Sequence, residues 1–115
     1  MARVRAATPQ DAGTITAFAQ ALSLEEGCPA PALQADAVRA EGFGARPRFR
    51  ALLAEQDGRP VGYALFYPSY DTDHAARGLY LQDLYVAPEA RRRGVGRALI
   101  AAVARACQAD GGCYL

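Results

Sequence analysis

Three arginines and two closely spaced glycines stand together at residues 91–96, in the order Arg-Arg-Arg-Gly-Val-Gly. Glycine lets the backbone turn sharply and lets a ligand come close to the chain, while arginine supplies a permanent charge with several donors. A helix N-terminus adds exposed N–H groups and a partial positive charge. If a helix starts here, these residues form a phosphate-binding site. The alternative is a solvated basic turn whose glycines serve geometry alone.

A second chemical group, Gln82 and Asp83, lies shortly before this loop. Adjacent residues of a regular strand point to opposite faces of the sheet, so we expect these two side chains on different sides. An unpaired buried carboxylate is costly, and Asp83 therefore needs a partner or a cleft that a cationic amine enters. The alternative is an Asp83 that is exposed or paired with an arginine.

The elements that position both groups are predicted by the flanking residues. Leu79 to Val86 is rich in apolar and aromatic residues, as a buried strand should be. Pro88 ends that strand, because proline cannot donate to a ladder. Apolar residues then recur at every fourth position, namely Val95, Leu99, Val103 and Cys107. That spacing indicates one stripe along a helix that ends near Ala109, so the sequence predicts a strand, a glycine loop and a helix.

The remaining chain supplies the other elements of the predicted fold. We expect a terminal strand over 3–7, a helix that opens at Thr8-Pro9 and runs to about Glu26, and a second helix from Pro31 to about Glu41 with Leu33, Ala37 and Ala40 inward. Strands over 49–55 and 60–67 should form a hairpin at Asp57-Gly58, and a polar loop over 68–78 should follow. After the helix that ends near Ala109, we expect a turn at 110–112 and a last strand that opens at 113–115. The order β-α-α-β-β-β-α-β predicts an α/β fold with a mixed, mostly antiparallel sheet, flanking helices and a parallel neighbour for the strand at 79–86.

Two further groups have a functional and a structural interpretation. Glu25 and Glu26 precede the break at Gly27, and they form either a solvated helix end or an anionic rim that attracts a cationic substrate. His74, the only histidine, is interpreted as a solvated loop residue rather than a catalytic base.

Length and composition limit the class of protein. The 115 residues fit one domain over 1–115, and a net charge of +1 gives no global reason to expect nucleic-acid binding. The sequence has no apolar run long enough to span a membrane and no signal-peptide core, so it predicts a cytoplasmic protein. Cys28, Cys107 and Cys113 lack metal-ligand spacing, and we interpret each as a small buried thiol, with no metal site.

Three stretches match a known pattern: Arg91-x-x-Gly94-x-Gly96, the segment 79–86 with Pro88-Glu89, and Glu41-Gly-Phe-Gly44 with Pro47 and Phe49. The first resembles the acetyl-CoA loop, Q/R-x-x-G-x-G/A, of the GCN5-related N-acetyltransferase (GNAT) superfamily. The other two are similar to the fourth strand, and to the segment that leads into the second strand, of the diamine (spermidine/spermine-like) N-acetyltransferases. The resemblance covers nearly the whole chain in order.

This resemblance implies that acetyl-CoA, as cosubstrate, donates an acetyl group to a primary amine such as a small polyamine or diamine. It implies that backbone groups of Leu84, Tyr85 and Val86 bind the pantetheine arm, and that an N–H at Leu84 or nearby polarises the thioester carbonyl. The implied coenzyme-binding residues of the loop are Arg91, Arg92, Arg93, Gly94, Val95, Gly96 and Arg97. The implied catalytic residues are Gln82, Asp83 and Leu84, and the implied amine-binding residues are Glu25, Glu26 and Asp83.

The chain departs from the family pattern in two places. Gln82 stands where the diamine enzymes have glutamate, and because an amide cannot take a proton, a base role at that position is lost. The family also continues beyond its fifth strand into a helix and two more strands, which carry the tyrosine thought to protonate the leaving thiolate. We therefore expect a C-terminally truncated form of the fold, in which Tyr114 is not the equivalent of that tyrosine.

Three functions compete on this basis. The first is an N-acetyltransferase with a small-molecule amine partner, as a homodimer that completes the sheet through the exposed C-terminal edge. The second is a non-catalytic coenzyme A-binding or assembly module of the same ancestry, which turnover would distinguish. The third, nucleic-acid binding through Arg91 to Arg97, would need a wider basic face. A dinucleotide-binding interpretation fails because Leu99 stands where the third glycine belongs.

Overall fold

The computed structural model describes residues 2–29, 31–112 and 114–115. Its strands are β1 (Arg3–Ala6), β2 (Arg50–Gln56), β3 (Arg59–Asp71) and β4 (Ala76–Val86), and its α-helices are α1 (Ala12–Glu25), α2 (Ala35–Phe43) and α3 (Val95–Ala109). Short 3₁₀ turns at Pro9–Asp11 and Pro88–Ala90 precede α1 and the loop before α3. The predicted α/β class and the order of elements from β1 to α3 are confirmed.

The four strands form an antiparallel sheet in the order β1-β2-β3-β4. Asp57 and Gly58 join β2 to β3, and both have positive φ (53° and 74°), as the predicted two-residue hairpin requires. On the outer side of β4, Gly78 forms a parallel bridge with Tyr114, and the Leu79 N–H donates to the Tyr114 carbonyl at 3.1 Å. The parallel neighbour predicted for β4 thus begins at Tyr114, whereas Cys113 lies outside the described residues.

Each face of the sheet carries its own apolar core. On the α1 face, α1 and α2 pack against strand residues that include Leu53, Tyr63, Leu65 and Tyr85. On the α3 face, the predicted stripe of α3 is buried in full against Ala64, Phe66 and Leu79. Because fully burying one Val or Leu side chain stabilises a fold by about 1.5–3 kcal/mol, this stripe holds the N-terminus of α3 firmly at the end of β4.

The predicted start of the second helix is wrong. α2 begins at Ala35 instead of Pro31, and it buries Val38 and Gly42, whereas Ala37 and Ala40 are exposed. A Cβ at Gly42 would lie 2.6 Å from Phe49 Cε1, so the helix approaches the segment before β2 as closely as a glycine allows. The alanines carry too little apolar surface to decide which face of the helix turns inward.

The predicted polar loop over 68–78 is also wrong, because most of it is strand. β3 continues to Asp71 and β4 starts at Ala76, with Tyr67 opposite Tyr80 and Tyr70 opposite Arg77. Backbone pairing continues past the apolar core, and the tyrosines favour a pleated strand more than a loop.

The start of α1 is fixed by charged and polar bonds. Arg5 of β1 bonds the Asp11 carboxylate at 2.8 and 2.9 Å and Glu55 of β2 at 3.2 Å. Asp11 also accepts the Thr8 N–H at 2.7 Å, which confirms the predicted cap at Thr8 as a capping box. The Arg5 guanidinium, together with these bonds, lowers the pKa of Asp11 to about 2.

The cysteine interpretation holds for one residue. Cys107 is buried within α3, whereas Cys28 is exposed in the turn after α1, where Gly27 and Pro29 are exposed as well. Cys113 lies outside the described residues.

Candidate functional site

β4 contains an irregularity at the two polar residues that the sequence singled out. Leu65 of β3 pairs with Asp83, but Phe66 pairs with Leu81, so Gln82 is the extra residue of a β-bulge. The bulge breaks the alternation of side chains, and Leu81 and Leu84 both pack on the α3 face. The expectation that Gln82 and Asp83 face opposite sides is therefore wrong, since both bond tyrosines of β3 that point away from α3.

Asp83 has a buried tyrosine as its partner. The Tyr63 hydroxyl donates to Asp83 Oδ2 at 2.6 Å, and Tyr63 is 0% exposed within the core of the α1 face. Burial raises the pKa of Tyr63 well above its usual value, and the Asp83 carboxylate raises it further, so the hydroxyl stays a donor. Glu26 adds a smaller rise to the pKa of Tyr63. The alternative in which an arginine pairs with Asp83 is wrong.

Aromatic side chains pack against the two tyrosines that bond Gln82 and Asp83. Phe18 of α1 stacks on Tyr63 with ring centres 6.0 Å apart and lies 5.5 Å from Tyr85. Tyr67 donates its hydroxyl to Gln82 Oε1 at 3.1 Å, and its ring lies 5.3 Å from that of Tyr80. No sequence pattern indicated a functional role for these β3 tyrosines. Their two-residue spacing from Leu65 could have placed them on one face, but their pairing with Gln82 and Asp83 depends on the register and the bulge.

The glycine loop is open and lies directly before α3, as predicted. Arg92 and Gly94 have positive φ (67° and 80°), and Gly94 immediately precedes the first residue of α3. A cavity of about 520 Å³ lies here; its walls are Val86, Ala90, Arg91, Arg92, Gly94, Val95, Gly96 and Arg97. A Cβ on Gly94 would meet nothing within 4 Å, and one on Gly96 would lie 3.8 Å from Val86 Cγ2. Packing within the described residues therefore does not require glycine at 96, and the open space fits an anionic ligand against the helix N-terminus.

Arg91 and Glu25 are paired with each other. Arg91 Nη2 donates to both Glu25 oxygens at 3.0 and 2.7 Å, and Arg91 Nε donates to the Val86 carbonyl at 2.8 Å. The Glu25 carboxylate raises the pKa of Arg91 above its usual value. The family resemblance implies that Arg91 binds the coenzyme and that Glu25 binds the amine. In the structure the long Arg91 side chain instead crosses the end of β4 and contacts Glu25 at the end of α1. Arg92, Arg93 and Arg97 are exposed.

The remaining candidates are peripheral. His74 is exposed in the β3–β4 turn with Nδ1 2.7 Å from Asp71, which agrees with a solvated role. The described part of the chain has no group of three or more His, Cys, Asp or Glu side chains arranged to hold a metal ion. None of the helices found over the described ranges is long and apolar enough to cross a membrane.

Comparison with known proteins agrees with this geometry. Residues 15–115 match the family model described as Acetyltransferase (GNAT) family, and the chain belongs to that family. The resemblance to the GNAT superfamily inferred from the loop and the strand is thus confirmed.

Two curated relatives are thialysine N-epsilon-acetyltransferases. The Mus musculus protein is 36% identical over 111 residues, which cover 89% of this chain and 65% of that protein. The Bos taurus protein is 43% identical over 86 residues, which cover 68% of this chain and 49% of that protein. The chain therefore matches between about half and two thirds of the length of these relatives.

The fold is shared with solved structures. A ribosomal-protein-alanine N-acetyltransferase from Brucella melitensis biovar Abortus 2308 aligns with a TM-score of 0.77 over 100% of this chain and 77% of that chain, at 22% identity. At this identity the likeness shows the fold alone.

Proposed function

We propose that the chain forms the coenzyme- and amine-binding core of an enzyme that transfers an acetyl group from acetyl-CoA to a primary amine of a small cationic molecule. The observation that carries the proposal is the position of β4 between two sites. Asp83 lies at its bulge, and Val86, three residues or about 10 Å further along the strand, lines the cavity of the glycine loop. One strand thus joins a carboxylate suited to an ammonium group with a loop suited to a pyrophosphate.

The coenzyme end is proposed to bind through backbone and charge. The N–H groups of Arg91 to Gly96 and the start of α3 face the pyrophosphate, and the exposed guanidinium groups beside them add charge. Leu84, Tyr85 and Val86 offer the backbone of β4 to the pantetheine arm. The open space above Gly94 and Gly96 supports this placement, because a ligand there meets no side chain from these two positions.

Bound acetyl-CoA would supply a thioester carbonyl for attack by a neutral amine; the C–S bond would then break, and coenzyme A would leave as the thiol with the proton that the amine loses. A backbone N–H at Leu84, next to the bulge, would polarise that carbonyl. Gln82 is an amide, so it orients a polar group and takes no proton. Much of the rate would come from holding the amine and the thioester together.

The amine end is proposed to bind by charge. Tyr63 bonds Oδ2 of Asp83, and among the hydrogen bonds of the described residues none uses Oδ1, so this oxygen can accept an ammonium N–H. Glu26 adds a second negative charge on this side. The names of the curated relatives describe acetylation of a terminal ε-amine of a lysine-like amino acid, which favours an aliphatic amine with a second charged group.

Turnover tests the proposal. The chain would be incubated with acetyl-CoA and a panel of diamines, polyamines and lysine-like amino acids, and thiol release would be followed with a neutral alcohol and an uncharged amide as controls. We expect turnover with at least one diamine or lysine-like amine and none with the controls. Saturable coenzyme binding without turnover on any amine would instead favour the non-catalytic coenzyme A-binding module.

The predicted homodimer stays a prediction. β4 is the last strand in the sheet order, and along the described residues its outer side carries a bridge only at Gly78. A second copy that completes the sheet there should appear as a dimer in sedimentation at micromolar concentration, whereas a monomer at all concentrations would contradict it.

A further inference from the structure

Two side chains that the sequence assigned to different ligands bind each other. The pair between Glu25 and Arg91 joins the last residue of α1 to the first residue of the arginine-glycine loop, 66 positions apart in the sequence. It is bidentate onto one guanidinium nitrogen, with distances of 3.0 and 2.7 Å. An ion pair of this span is a tertiary contact and not a local helix pair.

The guanidinium of Arg91 is held at two further points. Its Nε donates to the Val86 carbonyl at 2.8 Å, and its Cζ lies 5.5 Å from the centre of the Tyr85 ring. Because the guanidinium is planar and rigid, these three contacts fix its orientation across the end of β4. Arg92, Arg93 and Arg97 differ, since no ion pair found among the described residues includes them.

We propose that Glu25 is a positioning residue that holds Arg91 across the end of β4, so that Arg91 shapes the coenzyme loop and does not neutralise the pyrophosphate. The charge of the pyrophosphate is then met by Arg92, Arg93 and Arg97 and by backbone N–H groups. This inference rests on the proposed function, because it assigns a residue to the coenzyme site that the family motif does not contain. On this proposal Glu25 does not bind the amine, and Glu26 is the glutamate that remains in the amine-binding rim.

The backbone next to Arg91 explains why the Glu25–Arg91 ion pair is needed. After Val86 the chain leaves the sheet, passes through the 3₁₀ turn at Pro88–Ala90 and takes a left-handed backbone at Arg92, with φ of 67°. A non-glycine residue in that conformation costs free energy unless its surroundings hold it. Arg91, tied to Val86 on one side and Glu25 on the other, fixes the residue immediately before this position.

The test is a titration with acetyl-CoA of four forms of the chain: wild type, Glu25→Gln, Arg91→Gln and the double variant. The two side chains are 42% and 43% exposed, so solvent weakens the pair, and we expect each single variant to bind roughly twofold to fivefold more weakly. The double variant should bind no more weakly than Arg91→Gln, because both changes remove one interaction. Glu89→Gln is the matched control. It removes the same charge beside the loop, but Glu89 belongs to no ion pair among the described residues, so this variant should bind acetyl-CoA like the wild type.

A separation of Michaelis constants distinguishes positioning from amine binding. Glu25→Gln should raise the KM for acetyl-CoA and leave the KM for the amine unchanged. A raised KM for the amine with an unchanged KM for acetyl-CoA would overturn the inference in favour of the acidic rim. Wild-type affinity of Glu25→Gln for acetyl-CoA would also overturn it, and tighter binding would show that Arg91 leaves Glu25 for the phosphate. If the folded wild type does not bind acetyl-CoA, the proposed function itself fails.

Discussion

The two proposed sites near the C-terminal end of β4, the coenzyme end at the glycine loop and the amine end at Asp83, would recognise their ligands by different physical means. The glycine loop is contiguous in sequence and exposed, and it offers backbone N–H groups and exposed arginine side chains. The Asp83 site is assembled from α1, β3 and β4 around a fully buried tyrosine and a 2.6 Å hydrogen bond. Exposed charges are screened and contribute little one by one, whereas a polar group in a partly buried site is worth more. The affinity for the coenzyme should therefore depend on open space at the glycine loop, and the affinity for the amine should depend on single polar atoms at Asp83.

Gly96→Val should have the largest effect, because it fills the space in which the coenzyme would lie. We expect acetyl-CoA affinity to fall by up to about a hundredfold, since an overpacked contact costs about 1–3 kcal/mol and each 1.4 kcal/mol is tenfold. Gly13→Val is a matched control: it also lies at the second position of an α-helix, and its Cβ would meet nothing within 4 Å. Equal affinities for the two variants, measured by calorimetry, would remove the phosphate role of the loop.

Asp83→Asn should act at the other end. Loss of the carboxylate should lower kcat/KM for a cationic amine by about tenfold to a hundredfold and change the acetyl-CoA dissociation constant by less than about twofold. Asp36→Asn serves as control, because its carboxylate is 96% exposed and pairs only locally with Arg39. An equal effect of Asp83→Asn on both ligands would show that the two ends are not separate sites.

Gln82→Glu should give a smaller change with a clear sign. A carboxylate next to Asp83 adds negative charge to the amine end, so we expect the KM for a dicationic amine to fall by about threefold to tenfold at low salt and less at high salt. The acetyl-CoA affinity should not improve. A KM for the amine that is independent of salt would indicate that Gln82 lies outside the electrostatic reach of the substrate.

Tyr63→Phe tests the buried part of the amine end through stability. Removing the hydroxyl should cost about 1 kcal/mol of unfolding free energy, because the Asp83 oxygen loses its donor. The pKa of Tyr63 is raised above 10.0, so above that pH the unfolded chain loses a proton that the folded chain keeps. Wild-type stability should therefore fall as pH rises past 10.0, and Tyr63→Phe should reduce that fall in urea unfolding. Parallel pH profiles would contradict the assigned environment of Tyr63.

The sequence predicted the coenzyme end better than the amine end for a physical reason. The loop over 91–96 and the stripe of α3 are local patterns, and the loop lies directly before α3 as predicted, although Arg91 pairs with Glu25. The Asp83 site depends on strand register, and the single extra residue Gln82 turns two adjacent side chains to one face. The pair between Glu25 and Arg91 joins positions 66 apart, which no local periodicity can indicate. The polar residues over 68–78 predict a loop, but most of them belong to β3 and β4, because a strand ladder needs only backbone groups.

The proposed function depends above all on the binding of acetyl-CoA by β4 and the glycine loop. The most direct measurement is a calorimetric titration of the chain with acetyl-CoA, at a concentration where its oligomeric state is known. We expect saturable binding of about one coenzyme per chain, and a stabilisation of about 2.7 kcal/mol at a hundred times the dissociation constant. A folded chain that shows neither heat of binding nor stabilisation would contradict it.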